Sequence, residues 1–335
     1  MSAQRRVVAT IGPSSENEGI LAQILPAIAI ARMNMSHGTF TEHQAKIERV
    51  RAIDPSVQIL VDLQGPKIRV GKFPGGPVQF KRGEGSHLIY EPSSIDQCDR
   101  MHLYVSIPHL ITDCKAGDVL LFNDGYLAAK VVEKQSDTRL LIEMLNDGTL
   151  SNRKGINSST ASLSVSPLTE KDVADLEFGV QQKADIIALS FVRNAADVLD
   201  LRARMTKLGS KAKICVKIER HEAMDNLDAI CELSDMVMIA RGDLGVETDI
   251  LDLPVNQLKI LAAAKKFGKP CIWATQVLES MIVVPRPTRA EVTDIYAAIV
   301  AGCDYTMLSA ESASGAFPVE SVQFMSDMWK RHSKA

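Results

Sequence analysis

The 335 residues contain no CxxC pair, no apolar run long enough to cross a membrane and little net charge. The six cysteines (Cys98, Cys114, Cys215, Cys231, Cys271 and Cys303) are scattered, several of them inside apolar runs. That scatter argues against a zinc site or a disulfide framework and reads as buried, reduced thiols of a cytoplasmic protein. The longest greasy stretch, Ile20 to Ala31, is broken by Gln23 and Pro26. It falls short of the ~20 residues a membrane span needs, so no membrane partner is expected. With 38 basic against 41 acidic residues the net charge is -3, which gives no reason to expect a nucleic-acid surface. The opening MSAQRRVVATIG has no apolar core of a signal peptide and runs directly into a strand-like segment. No low-complexity tract or coiled-coil repeat interrupts the chain.

What is present is alternation. Eight short apolar runs, rich in β-branched residues, occupy Arg6–Ile11, Ala27–Met33, Gln58–Leu63, Asp185–Leu189, Lys213–Ile218, Met236–Ala240, Pro270–Ala274 and Tyr305–Ser309. Most are followed by segments with three-and-four apolar spacing. Two of these open on capping boxes, Thr39 with Glu42 and Thr288 with Glu291. Repeated strand–helix units imply a parallel sheet, and eight of them fit an α/β fold closed as a (β/α)8 TIM barrel.

One stretch breaks the rhythm. From about Val70 to about Val165 the pattern shifts to short alternating strands, with turns at Pro74-Gly75-Gly76-Pro77, Asn123-Asp124-Gly125 and Asn146-Asp147-Gly148. This predicts a small inserted β-barrel lid domain over 69–166, between a first barrel part over 1–68 and a second over 167–335. An insertion after a strand lands on the barrel's catalytic face, where it is placed to close as a lid. A last helix is expected over Val319 to Lys334.

Reactive residues of such barrels collect where strands end. The fifth run delivers Lys217 and Glu219, and the sixth delivers Arg241, Gly242 and Asp243. Two carboxylates suit Mg²⁺ or Mn²⁺, which take hard oxygen ligands. Lys217 lies two residues from Glu219 and shares its face of the strand. A glycine beside Asp243 leaves backbone N–H open to a substrate. Together these parts suit a phosphorylated carboxylic acid.

In order along the chain come ATIGPSS, RMNMSHG, DLQGPKIRVG, NDG, NRKGIN, SFVR, KIER, ARGDLGVE, ATQVLESM, PRPTRAEVTD and MLSAESASG. The set resembles pyruvate kinase over essentially the whole chain. The resemblance implies phosphoryl transfer from phosphoenolpyruvate to ADP, giving pyruvate and ATP. It casts Arg32 as the phosphoryl-binding arginine, Lys217 as the stabiliser of phosphoryl and enolate charge, and Gly242 as the carboxylate contact. Thr275, with Ser309, falls on the face where the enolate is protonated, through a water relay. Glu219 and Asp243 map to the divalent-metal ligands, and Asn34, His37, Arg69 and Lys154 to nucleotide contacts.

The chain also departs from the family. Potassium-dependent members hold K⁺ with groups matching Asn34, Ser36, Asp62 and the carbonyl at Leu63, where threonine is usual. They resemble GPEIR where this chain has Lys67 in GPKIR. A tethered ammonium carries the charge of K⁺ and repels a mobile cation, so activity independent of K⁺ is expected. In the eighth-strand string, Ala310 and Ser314 replace a glycine and a lysine. Most members continue into a C-terminal α/β domain carrying a sugar-phosphate site. The expectation is a short form without that allosteric domain, indifferent to fructose 1,6-bisphosphate and forming homo-oligomers through barrel helices. A metal-dependent lyase acting on pyruvate enolate would use a similar carboxylate pair but needs neither lid nor nucleotide set. A non-catalytic binding homologue would not need Lys217, Glu219, Asp243 and Thr275, all of which are present.

Overall fold

The computed structural model describes residues 5–158, 160–161 and 163–333. Eight parallel strands close into a barrel: Val7–Thr10, Ile28–Asn34, Gln58–Asp62, Ile186–Leu189, Lys213–Ile218, Met236–Ala240, Cys271–Ala274 and Tyr305–Leu308. Each bound lies within one residue of its apolar run, and each strand pairs with its sequence neighbours, the last closing on the first. The strands read as continuous apolar runs because both faces are covered. Inward side chains, among them Val8, Ile30, Leu60, Cys215, Met238 and Met307, form a plug inside the barrel. Outward ones, including Ala9, Ala31, Val61, Val216 and Ile239, pack beneath the helices in a larger core.

Helices follow the strands in turn, from Glu18–Ile24 and Phe40–Ile53 round to Arg289–Ala301 and Pro318–His332. Both capping boxes form: Thr39 and Thr288 accept from the N–H groups of Glu42 and Glu291, whose carboxylates reach back. A third, Thr169 with Asp172, uses the shorter acid. The last helix ends at His332, and Lys334 lies outside the described residues. All six cysteines are buried and unpaired. Among the described residues no helix is long and apolar enough to cross a membrane.

After the third barrel strand the chain leaves into a separate β unit with its own core, built on residues such as Phe80, Leu88, Leu120, Phe122 and Ile142. It comprises a six-stranded sheet and a two-stranded sheet pairing Gly148–Leu150 with Val78–Phe80. Asn123-Asp124-Gly125 turns one hairpin, with positive φ at all three residues. The turn at Asn146 to Gly148 instead hands the chain to the two-stranded sheet, and Gly85–Ile89 pairs parallel with His102–Tyr104. The outgoing and returning chains pair with each other, Val70 N–H donating to Lys154 O and Ile156 N–H to Ile68 O, both at 2.9 Å. The insert thus joins the barrel through a hydrogen-bonded double strand.

Candidate active site

One side-chain step above the apolar plug, the inward register turns polar. Thr10 follows Val8, Arg32 follows Ile30, Asp62 follows Leu60, Ser190 follows Ala188, Lys217 follows Cys215 and Ser309 follows Met307. All of these but Ser309 are joined into one layer by hydrogen bonds and ion pairs. Arg32 Nε donates to Asp62 Oδ2 at 2.7 Å and its Nη1 to Thr10 Oγ1 at 2.9 Å. Lys217 Nζ donates to Ser190 Oγ at 2.7 Å and lies 3.3 Å from Asp62 Oδ1 and 3.0 Å from Glu219 Oε1. Ser190 passes its single proton to Leu63 O at 2.6 Å.

Burial sets the electrostatics. On its own it would push Asp62 up, but the Lys217 and Arg32 charges hold that carboxyl below its ordinary value. Burial would likewise lower Lys217, and the charges of Asp62 and Glu219 override it, so the ammonium is held well above the usual lysine value. Glu219 goes the other way. Burial raises it, Lys217 offsets part of the rise, and the like charge of Asp243 adds to it.

Glu219 Oε2 also accepts from the N–H of Phe191, at 2.8 Å. Asp243, in the short helix Arg241–Glu247, receives Lys67 Nζ at 3.0 and 3.3 Å. That lysine runs past Gly155, where a Cβ would stand 3.2 Å from its Cε, a tight contact. Two carboxylates from adjacent strand ends therefore share a site, and each already draws an ammonium. Such a donor set fits a hard divalent cation such as Mg²⁺ or Mn²⁺.

Of the groups compared with a K⁺ site, the Ser36 hydroxyl carries no hydrogen bond among the described residues, and the others make contacts of their own. Asn34 Oδ1 accepts from Ser36 N–H at 3.2 Å, Asp62 and the Leu63 carbonyl belong to the layer above, and Lys67 rests on Asp243.

The seventh strand ends in strain. Thr275 and Gln276 both adopt positive φ, 72° and 53°, which residues with a Cβ rarely do. Arg241 holds this turn. Its Nε donates to the Ala274 carbonyl at 2.9 Å, and its Nη2 to those of Thr275 and Gln276 at 2.5 and 3.2 Å. Asp294 anchors the guanidinium from behind at 2.6 Å, and Trp273 lies under it. Gly242 abuts Thr275, whose Cγ2 would stand 2.9 Å from any Cβ at 242.

Arg32, Asn34, Lys67, Lys217, Glu219, Gly242, Asp243, Thr275 and Ser309 line one cavity of about 1150 Å³. The hydroxyls of Thr275 and Ser309 carry no hydrogen bond among the described residues. Asp62 lies beneath the cavity floor, with Ser36 and Leu63 also outside the lining. His37, Arg69 and Lys154 are not among the residues lining this cavity. Burial and the charges of Arg69 and Arg32 lower the His37 pKa, and Arg69 Nη1 donates to Arg153 O at 3.0 Å. Arg241, at a predicted strand end, and Ser190, which opens SFVR just after the fourth run, carried no role in the sequence; in the structure they hold other groups. Asp124, Gly125 and Tyr126 were missed: the NDG turn of the insert reaches over the cavity, and only the folded chain shows that.

Residues 2–322 match the family model described as pyruvate kinase, barrel domain. "Pyruvate kinase 2" of Synechocystis sp. is 42% identical over 334 residues, 97% of this chain and 56% of the relative. A "Pyruvate kinase" of Agrobacterium vitis is 40% identical, over 98% of this chain and 68% of the relative. "Pyruvate kinase 1" of Trypanosoma brucei brucei is 39% identical, over 96% and 65%. The chain thus spans between about half and two thirds of the length of these relatives. On the match to the family model and these identities, the chain belongs to the pyruvate kinase family.

Proposed function

We propose that this chain transfers the phosphoryl group of phosphoenolpyruvate to ADP, giving pyruvate and ATP. The observation that carries the reading is the meeting of Arg32, Lys217, Glu219, Gly242, Asp243 and Thr275 on one cavity at the strand ends. Phosphoryl transfer demands positioning and charge neutralisation more than covalent chemistry from the protein. Arg32 and Lys217, both fixed by Asp62, present two cations to the moving group. Glu219 and Asp243 would hold Mg²⁺ or Mn²⁺, which when bound supplies Lewis-acid neutralisation of phosphate and enolate oxygens. The backbone at Gly242 meets the substrate carboxylate. The Thr275 and Ser309 hydroxyls order the water that delivers a proton to the enolate. Asn34, His37, Arg69 and Lys154 contact the nucleotide, and the 69–166 insert closes over it on its paired double strand.

Purified chain mixed with phosphoenolpyruvate, ADP and Mg²⁺ or Mn²⁺ is expected to form ATP. No ATP with either metal, with or without K⁺, overturns the assignment, and pyruvate-enolate cleavage without ATP would favour a lyase.

The reaction needs no K⁺ on this reading, because Lys67 places a resident cation at the rim of the same cavity. The expected rate in sodium- and potassium-free buffer equals that with K⁺, whereas Lys67→Glu acquires a K⁺ requirement. Collapse of the unmodified chain without K⁺ would sink this part alone. The barrel helices leave Val255, Leu258, Tyr296 and Val300 about half exposed, which supports self-association through them in a cytoplasmic setting. Sedimentation of a monomer at all concentrations would count against it.

A further inference from the structure

Beyond the phosphoryl-transfer cavity, three side chains converge where the fifth and sixth strands give way to short helices. His221 and Glu222 open the helix His221–Asp225, and Glu247 closes the helix Arg241–Glu247. His221 Nδ1 lies 3.4 Å from Glu222 Oε2 and 3.6 Å from Glu247 Oε2, and the three ligand atoms fall within 4.8 Å of one another. Glu247 is 3% exposed. Its Oε1 accepts from Asn157 Nδ2 of the insert at 2.8 Å, while Oε2 is buried with no hydrogen-bond partner. His221 Nδ1 is likewise buried without one. A carboxylate oxygen and an imidazole nitrogen thus face each other 3.6 Å apart, an ion pair when the ring is protonated but without a hydrogen bond of normal length between them. Buried polar atoms in that condition call for an explanation.

The spacing supplies one. A tetrahedral ion with bonds of about 2.0–2.1 Å holds its ligand atoms roughly 3.3–3.4 Å apart. The two nitrogen–oxygen separations here are close to that edge, and the third, between the carboxylate oxygens, lies within 4.8 Å, so one carboxylate must draw in on binding. An imidazole beside two carboxylates suits a borderline transition ion, whereas Mg²⁺ prefers oxygen alone and octahedral geometry. We propose that His221, Glu222 and Glu247 bind one divalent transition ion of the Zn²⁺ class, at a site separate from Glu219 and Asp243. The outer contacts are built for it. Asn157 orients Glu247, and the Arg220 fork grips Glu222 at 2.8 and 2.9 Å. His221 is partly exposed, which gives an ion a way in and leaves the fourth position to water. Once bound, the ion would tie the two mouth helices together and, through Asn157, fix the insert on the barrel.

Co²⁺ is the probe, titrated into the full chain in excess Mg²⁺ and followed by its visible absorption. One cobalt with the bands of a four- or five-coordinate ion is expected, together with a rise in melting temperature on adding Zn²⁺. His221→Gln should bind Co²⁺ at least about 100-fold more weakly. Glu247→Gln should do the same, and Asp243→Asn should leave this cobalt in place. His221 is partly exposed, so its variant decides the matter even where Glu247→Gln fails to fold. No cobalt bands in the unmodified chain, or the same bands in His221→Gln, would overturn the proposal. So would loss of the bands in Asp243→Asn alone, since the ion would then occupy the Glu219–Asp243 pair. None of these readings depends on phosphotransfer activity.

Discussion

The apolar plug and the charged layer above it stand on the same strands, one side-chain step apart, yet they are held together differently. The plug is satisfied by packing: Ile30, Leu60 and Cys215 are fully buried and ask only for volume. In the layer each charged group is held by an opposite one, Asp62 between Arg32 and Lys217, and Lys217 between Asp62 and Glu219. Removing a plug side chain leaves a void. Taking one member from the layer leaves a buried charge without its partner, which costs more and changes the chemistry at the mouth. Stability and function therefore separate by height within a single barrel.

The hardest test of that separation is Lys217→Met. It removes the cation from the proposed phosphoryl site and strips Glu219 of its ammonium. A loss of at least about 10³-fold in kcat is expected. Metal-free chain should also be destabilised by about 3 kcal/mol in urea, because a broken buried pair leaves an uncompensated charge. Near-normal turnover would mean that the layer is structural only. Leu60→Ala, one step lower, should do the reverse. About 3 kcal/mol of stability goes with the cavity, while KM and kcat of the folded fraction stay within about twofold. A large fall in kcat there would show that the plug and the layer are coupled.

Arg241→Lys probes the boundary between the two. A lysine keeps the charge opposite Asp294 but cannot reach three carbonyls with a planar fork. The strained turn at Thr275 and Gln276 should relax, lowering kcat about 10- to 30-fold with KM for phosphoenolpyruvate nearly unchanged. Exchange of pyruvate methyl protons should slow in parallel, since the displaced group is Thr275. A matched fall in melting temperature with unaltered exchange would assign Arg241 to the fold alone.

Much of this was legible in the sequence because a parallel barrel writes itself as apolar runs, and the tail of each run is where chemistry must stand. Lys217, Glu219 and Asp243 could be read that way, as could the capping boxes at Thr39 and Thr288. What could not be read were contacts between tails. Nothing in GPKIR says that Lys67 lies on Asp243, alongside Gly155 on the returning strand of the insert. Nor does ARGDLG show that its arginine holds a turn more than thirty residues downstream. The hairpin turn that brings Tyr126 over the cavity was visible as a turn, but its target was set by how the insert folds back.

The smallest effect comes from a buried group outside both layers. His43 lies in the helix Phe40–Ile53, 2% exposed, with its ring near Phe178 and Nε2–H donating to His37 O at 2.7 Å. Burial lowers its pKa. The His37 carbonyl and Glu42 oppose that shift, while Lys46 on the same helix and Lys171 on the facing one add to it. In the folded chain the ring therefore stays neutral at pH values where the unfolded chain has taken up a proton. The unfolded state binds more protons in that window, so stability rises with pH there. It should be complete above the ordinary histidine pKa of about 6.5 and decline as pH falls toward the folded value. His43→Gln keeps a donor for His37 O and removes the titration. Urea midpoints measured between about pH 7 and about pH 5 should fall less steeply for this variant than for the unmodified chain. Equal slopes would show that burial alone, without the paired charges of the barrel layer, leaves this ring's protonation unchanged on folding.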